Sequence, residues 1–135
     1  MAEFQKIAPQ YQLQRYSFGL APLVDGQTDA ALTYDGVSTV KPVMPWAGSI
    51  VAISANASAA AGAGAISFDA LIDATQQSID LSLATDATTA YDTYREGTYP
   101  FAAGTVLGAS YTSGTLTTNG NVSVDIWVLF QDVRP

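Results

Sequence analysis

The sequence predicts an all-β protein, an antiparallel sandwich or barrel of about eight short strands. From Arg15 onward, segments of roughly five to ten residues alternate apolar and polar side chains, and clusters of Gly, Pro, Asn or Asp separate them. No helix competes with these strands, because the one rival pattern, residues 68–75, is too short and too rich in Asp. The length of 135 residues suits a single domain.

Period-2 alternation and flanking turn residues place each strand. Asp35-Gly36 is a hairpin-turn dipeptide, and the alanine-rich run 59–65 carries two glycines, which favours a loop over a helix. Pro100 and Gly104 frame a turn that leads into a late strand. In chain order, the predicted strands are residues 15–20, 31–34, 37–43, 49–57, 65–72, 78–83, 105–111 and 122–130.

The last predicted strand, residues 122–130, has two unlike faces. One face is apolar throughout, whereas the other begins polar at Ser123 and ends apolar at Leu129. An antiparallel sheet that is solvated on one side keeps that side polar. We therefore expect the outer surface of this sheet to be partly covered near Leu129.

Composition excludes several classes of function. The formal net charge is −7, with 5 Lys+Arg residues, so the chain lacks the basic patch that a nucleic-acid-binding surface needs. It has no Cys and no His, which removes thiolate chemistry, disulfides and the commonest general base. No run approaches the ~18 consecutive apolar residues of a membrane helix, and residues 1–14 lack the pattern of a signal peptide. We expect no nucleic-acid or membrane partner, and synthesis in the cytoplasm.

Acidic side chains are the remaining candidates for chemistry. A pair of carboxylates can hydrolyse glycosides, and carboxylates with loop carbonyls can bind calcium. However, the chain has no D-x-[DN]-x-[DN]-G loop, and Asp69 and Asp80 occupy polar positions of alternating strands. We expect them to lie on a solvated face, and we predict no enzymatic activity, no cofactor and no metal site. The acidic cluster comprises Asp69, Asp73, Asp80 and Asp86.

Residues 1–14 are predicted to be an N-terminal arm, and residues 15–135 the β-domain. The arm is rich in Gln, and Pro9 interrupts any helix. It is either a tail or a segment that orders on a neighbouring subunit. Its candidate contact residues are Phe4, Ile7, Tyr11 and Leu13.

A second candidate contact surface is the tyrosine-rich segment around Arg95. Tyr91 and Tyr94 precede this arginine, and Tyr99 follows it. Tyrosine is enriched at interfaces, where the ring is buried and the hydroxyl is hydrogen-bonded. The alternative is that these are ordinary half-buried strand residues.

Three stretches together carry a resemblance to a known family. In order and spacing, residues 44–58 (MPWAGSIVAISANAS), 100–108 (PFAAGTVLG) and 122–130 (VSVDIWVLF) resemble small jelly-roll head-decoration (cement) and fibre-tip proteins of tailed bacteriophages. The resemblance covers residues 42–131, and its motifs are structural, so they also fit other trimeric jelly rolls. The chain departs from the family pattern at Ala52, where glycine is usual, and at Thr105, where an acidic or polar turn residue is usual.

The resemblance implies an antiparallel jelly-roll β-sandwich of about eight strands with an extended N-terminal arm. It implies a virion protein on the capsid exterior, a homotrimer that binds the major capsid protein and stabilises the head. The alternative function is a receptor- or glycan-binding tip module of a head or tail fibre. The residues expected to contact the capsid or a neighbouring subunit are Phe4, Ile7, Tyr11, Leu13, Tyr91, Tyr94 and Arg95.

Overall fold

The computed structural model describes residues 11–37, 40–131 and 133, and these residues form a β-sandwich of two antiparallel sheets. None of them is helical, so the described chain offers no long apolar helix for crossing a membrane. The strands are β1 (Gln12–Leu20), β2 (Ala30–Ala31), β3 (Thr33–Tyr34), β4 (Gly48–Ala57), β5 (Ile66–Ile72), β6 (Thr75–Gln76), β7 (Leu81–Leu83), β8 (Thr89–Thr93), β9 (Tyr99–Phe101), β10 (Leu107–Ser113) and β11 (Val122–Phe130).

The strand order is that of a jelly roll. The first sheet runs β3-β1-β11-β4-β8, with β9 also paired to β4, and the second runs β2-β10-β5-β6, with β7 also paired to β5. The first and last long strands are therefore neighbours, and the chain passes repeatedly between the two sheets. Grouping β2 with β3, β6 with β7 and β8 with β9 gives eight strand segments, which is the predicted number. The segment of β8 and β9 was not predicted, and none of the eight corresponds to the strand predicted at 37–43. The all-β jelly-roll prediction is confirmed.

The core lies between the sheets and is built by the inward-facing residue of every second position. Along β11 the residues Val122 to Phe130 alternate between buried and exposed or partly exposed, as the period of a strand requires. Phe130 is 1% exposed, and its ring meets Trp46 and Phe101 edge-on at centroid distances of 5.7 and 6.0 Å. Such edge-to-face contacts add to the free energy that burial alone provides.

Two of the predicted strands are only partly formed. The segment predicted at residues 78–83 is a strand only at Leu81–Leu83, because Ser78 and Asp80 have φ values of 59° and 55°, which an extended strand does not allow. In the segment predicted at 37–43, Val37 and Val43 each form an isolated bridge. Pro42 between them has no N–H for a sheet ladder.

Two predicted turns are confirmed, whereas one predicted strand divides between the two sheets. Asp35-Gly36 forms the expected turn, with φ values of 53° and 77°. Gly104 forms the bend before β10, with a φ of 85°. The segment predicted at 31–34 divides into β2 and β3, which belong to different sheets, and Leu32 between them is buried.

Candidate interaction surface

The outer face of the β1–β11–β4–β8 sheet carries a largely apolar groove of about 420 Å³. We call it the apolar groove. Most of its lining is aliphatic or aromatic, which is unusual for the solvent side of an antiparallel sheet. The lining residues are Leu13, Val51, Ala52, Ile53, Tyr91, Asp92, Thr93 and Trp127.

Strand register assembles the groove from four strands. Trp127 on β11 lies opposite Arg15 on β1 and Ala52 on β4, and Ala52 in turn lies opposite Thr93 on β8. Because cross-strand partners share a face, these side chains form one row across the sheet. The indole of Trp127 stands near the middle of that row.

A β-bulge shapes the floor of the groove. The β11–β4 register shifts between Trp127 and Val128, which face Ala52 and Ile50 respectively, so Val51 is an extra residue on β4. A bulge of this kind bends its strand and re-aims side chains locally. As a result, Val51 contributes to the groove beside Ala52.

The rims of the groove are highly exposed. Leu13 is 59% exposed at the β1 rim, and Tyr91 is 80% exposed at the β8 rim. Tyr11, just before β1, is 60% exposed. Single exposed apolar residues are ordinary, but a continuous apolar concavity with exposed rims is typical of a binding surface.

The structure brings together two predicted contact residues that the sequence placed in separate groups. Leu13 from the predicted arm and Tyr91 from the tyrosine-rich segment line the same groove. Leu13 lies within β1, which begins at Gln12, so residues 12–14 are paired with β11 rather than separate from the domain. The predicted contacts Phe4 and Ile7 lie outside the described residues.

Tyr94 and Arg95 follow β8 and do not line the groove. The N–H of Tyr94 donates to the carbonyl of Val51 at 2.8 Å, and its ring packs edge-on against Tyr99 at 4.9 Å. Arg95 is exposed, and its carbonyl accepts from the N–H of Thr98 in a turn. Tyr94 therefore anchors the chain beside the groove, whereas Arg95 remains available at the surface.

The Tyr94 hydroxyl is buried and makes no hydrogen bond of good geometry with the described residues, and the carboxylate of Asp92 is the polar group near it. Burial raises the pKa of this phenol well above its ordinary value, and the nearby carboxylate of Asp92 raises that pKa further. At neutral pH the group is a neutral hydroxyl that folding has removed from water. A buried hydroxyl without a well-formed hydrogen bond is expected to cost free energy.

Sequence reasoning did not select Trp127 and Val51 as contact residues. Trp127 belongs to the second face of the last strand, whose change from polar to apolar was the available signal. Val51 carried no such signal, because its place in the groove depends on the bulge opposite β11.

A second concavity, of about 410 Å³, lies on the outer face of the β10–β5–β6 sheet. It is mainly polar, and several of its groups already have partners within the protein. The Asp69 carboxylate accepts three backbone N–H groups, and the Ser110 hydroxyl donates to Gln76 at 3.1 Å. Among the described residues, no three acidic side chains are grouped so that they could hold a metal ion. The lining residues are Asp29, Ser67, Phe68, Asp69, Gln76, Ser78, Asp80, Ser110, Tyr111 and Thr112.

Comparison with known proteins shows a relationship of fold. No family model matches the sequence, and no curated protein matches it. Among solved structures, the chain is similar to one described as "Cyanophage Pam1 capsid asymmetric unit", at a TM-score of 0.50 and 9% identity. The match covers 97% of this chain and 91% of the other, so it extends over the whole sandwich. At this identity the likeness establishes a shared fold.

Proposed function

We propose that this protein is a structural component of a bacteriophage virion, a capsid decoration protein that binds the major capsid protein as a homotrimer on the capsid exterior. The observation that carries the proposal is the apolar groove with its exposed rims, Leu13 and Tyr91. A fold shared with a chain of a cyanophage capsid structure supports the proposal. So does the phage-like pattern of the three sequence stretches.

The mechanism we propose is burial of the groove against a capsid subunit. Aromatic side chains surrounded by aliphatic ones are typical of the centre of a protein interface, and Trp127 and Tyr91 provide them here. A protein that binds only the assembled capsid stabilises it by mass action. No catalytic step is part of this function, and the Asp69 carboxylate is used in holding the chain between β6 and β7.

The direct experiment has two measurements. The mass of the purified protein in solution is determined, and the protein is then mixed with undecorated capsids of the phage that encodes it and sedimented. We expect a three-fold mass and co-sedimentation that saturates with added protein. A monomer that stays in the supernatant at all capsid concentrations would contradict the proposal.

The polar concavity favours a second candidate function, a receptor- or glycan-binding tip module of a phage fibre. Hydroxyl, amide and carboxylate groups of Ser67, Gln76 and Asp80 line it, and such groups can hydrogen-bond a sugar. The exposed ring of Tyr91 offers a stacking surface on the other sheet. Binding to a glycan array or to host cells, without binding to capsids, would favour this function over decoration.

A further inference from the structure

The dipeptide Asn119-Gly120 lies in the loop between β10 and β11, outside both the apolar groove and the polar concavity. An asparagine loses its side-chain amide when the backbone nitrogen of the next residue attacks it. Glycine has no side chain to shield that nitrogen, so asparagine before glycine reacts most readily. The other asparagines, Asn56 and Asn121, precede larger residues. Position 119 is therefore where the chain is chemically most prone to deamidation.

The side-chain amide of Asn119 holds the segment that follows β1. Its Nδ2 donates to the carbonyl of Leu23 at 2.9 Å and to the carboxylate of Asp25 at 2.7 Å. We call these two hydrogen bonds the Asn119 clamp. A carbonyl and an ionised carboxylate only accept, so the clamp needs the NH2 group of an amide. The carbonyl of Gly120 accepts from the N–H of Leu23 at 3.0 Å, so both residues of the dipeptide hold the same segment.

The held segment, residues 21–29, contains no strand of its own and connects β1 of the first sheet with β2 of the second. Leu23 within it is 1% exposed and belongs to the core, so the clamp holds a core residue in place. Gly120 is fixed by packing, because an added Cβ would lie 3.1 Å from the backbone of Ala59. The fold thus favours at position 120 the residue that makes Asn119 labile.

We propose that Asn119 is a site of spontaneous deamidation, and that its modification irreversibly releases residues 21–29 from the β10–β11 loop. In the reaction, the backbone nitrogen of Gly120 gives up its proton and bonds to Cγ of Asn119, and Nδ2 leaves as ammonia. Water then opens the succinimide ring to aspartate or isoaspartate. The net change consumes a water molecule, releases ammonia and needs no oxidant, reductant or enzyme.

The clamp slows this reaction in the folded protein. Because Nδ2 is the leaving group, its hydrogen bonds to Leu23 and Asp25 must both break before ammonia departs. Hydrogen bonds to a charged acceptor are stronger than those between neutral groups, so the closed clamp is the unreactive state. Deamidation therefore proceeds through local opening of the segment, which costs less than global unfolding.

The product cannot close the clamp again. A carboxylate at position 119 has no N–H to donate, and it would face the carboxylate of Asp25 and the carbonyl of Leu23. Two carboxylates at this separation repel each other. Isoaspartate also lengthens the backbone beside Gly120, where there is little space. Since the change runs in one direction, the fraction of released molecules would record the age of the protein.

Mass spectrometry of the full chain tests the clamp. The parent, Asp25→Ala and Asp86→Ala are aged together in mildly alkaline buffer, with a synthetic peptide of residues 115–124 as the unclamped reference. The acid form of the proteolytic fragment that contains residue 119 is followed over time. We expect Asp25→Ala to react about tenfold faster than the parent, the effect of losing a hydrogen bond to a charged acceptor, and the peptide to react faster still.

Asp86→Ala is the matched control, because Asp86 is exposed and does not take part in the clamp. It should deamidate at the rate of the parent. Equal rates in the parent and Asp25→Ala, or in the parent and the peptide, would overturn the protective role of the clamp.

A second set of variants tests the release. Asn119→Asp carries the product, and we expect limited proteolysis to cut it within residues 21–29 before it cuts the parent. Asp25→Asn combined with Asn119→Asp restores an amide donor between the two positions, so it should recover part of the resistance. Asn119→Asp that resists proteolysis as well as the parent, or a double variant no more resistant than Asn119→Asp, would overturn the release.

Discussion

The carboxylate of Asp69 on β5 accepts a hydrogen bond from the backbone N–H of Ile79 at 3.0 Å. The same carboxylate accepts from the N–H of Ser78 at 3.0 Å and from that of Ala70 at 2.8 Å. Ser78 has a φ of 59°, which is uncommon for a residue with a side chain. Asp69 thus holds a chain segment whose own backbone preferences would not keep it in place.

Replacing Asp69 by Ala should lower the free energy of unfolding by about 2–3 kcal/mol. Hydrogen bonds to a charged acceptor are stronger than those between neutral groups, and three backbone N–H groups would lose their acceptor. Asp69→Asn should cost less, since one carbonyl oxygen remains as an acceptor. Urea denaturation measures both. Asp86→Ala, at an exposed position, is the control and should change stability by less than about 0.5 kcal/mol. If the two Ala variants were equally stable, the structural role of Asp69 would be wrong.

Gly48, at the start of β4, is required by close packing against β11. A Cβ at this position would lie 2.3 Å from the carbonyl oxygen of Leu129, which is held in the sheet. Gly48→Ala should therefore destabilise the protein by about 3 kcal/mol, as overpacking against backbone forces the strands apart. Gly114→Ala is the matched control, because nothing lies within 4 Å of its added Cβ. Thermal unfolding compares them, and similar midpoints would contradict the packing argument.

Removing the Tyr94 hydroxyl should stabilise the protein. Since this buried group lacks a well-formed hydrogen bond with the described residues, Tyr94→Phe should raise the free energy of unfolding by about 1 kcal/mol at neutral pH. Tyr91→Phe changes an exposed ring and should have an effect below about 0.5 kcal/mol. Loss of stability in Tyr94→Phe would mean that the hydroxyl is hydrogen-bonded.

The same residue predicts a dependence on alkaline pH. Folding raises the pKa of Tyr94 above its ordinary value of 10.0, so ionisation of this phenol takes nothing from the stability of the fold below about pH 10. As pH rises further, the unfolded chain ionises this phenol before the folded protein does, and stability falls. Denaturation curves between pH 9 and 11, a window of about one unit either side of the ordinary tyrosine pKa, should show a steeper loss for the parent than for Tyr94→Phe. Equal slopes would contradict the raised pKa.

Most of the fold could be predicted because the alternation of apolar and polar side chains is visible within the sequence of each single strand. The last strand, residues 122–130, matches β11 in both bounds, since one of its faces is apolar at every second position. β8, Thr89–Thr93, was missed because its five residues are mostly polar and exposed. It is a strand because β4 offers a free edge there, which is a tertiary cause.

The groove could be predicted only in part, for a related reason. Leu13 was selected from its place in the predicted arm and Tyr91 from its place in the tyrosine-rich segment, but their sharing of one groove depends on which strands are neighbours. Trp127 lies in the same row because of the β11–β4 register, which no single strand reveals. Side-chain alternation assigns residues to a face, whereas the order of strands decides which residues meet on it.

The groove itself yields the test closest to function. Tyr91→Ser removes an 80% exposed ring from the rim, so the fold should tolerate it, while a partner seated on the groove would lose an aromatic contact. We expect binding to undecorated capsids to weaken by about tenfold or more, the loss of roughly 1.4 kcal/mol that removal of an interface aromatic commonly causes. Val40→Ser changes another exposed apolar residue, 53% exposed and outside the groove lining, and should leave binding unchanged.

Co-sedimentation titrations measure both affinities, with unfolding curves to confirm that each variant is folded. Equal weakening by the two variants would show that general surface hydrophobicity, rather than the groove, governs binding, and unchanged binding by Tyr91→Ser would place the capsid contact on another surface.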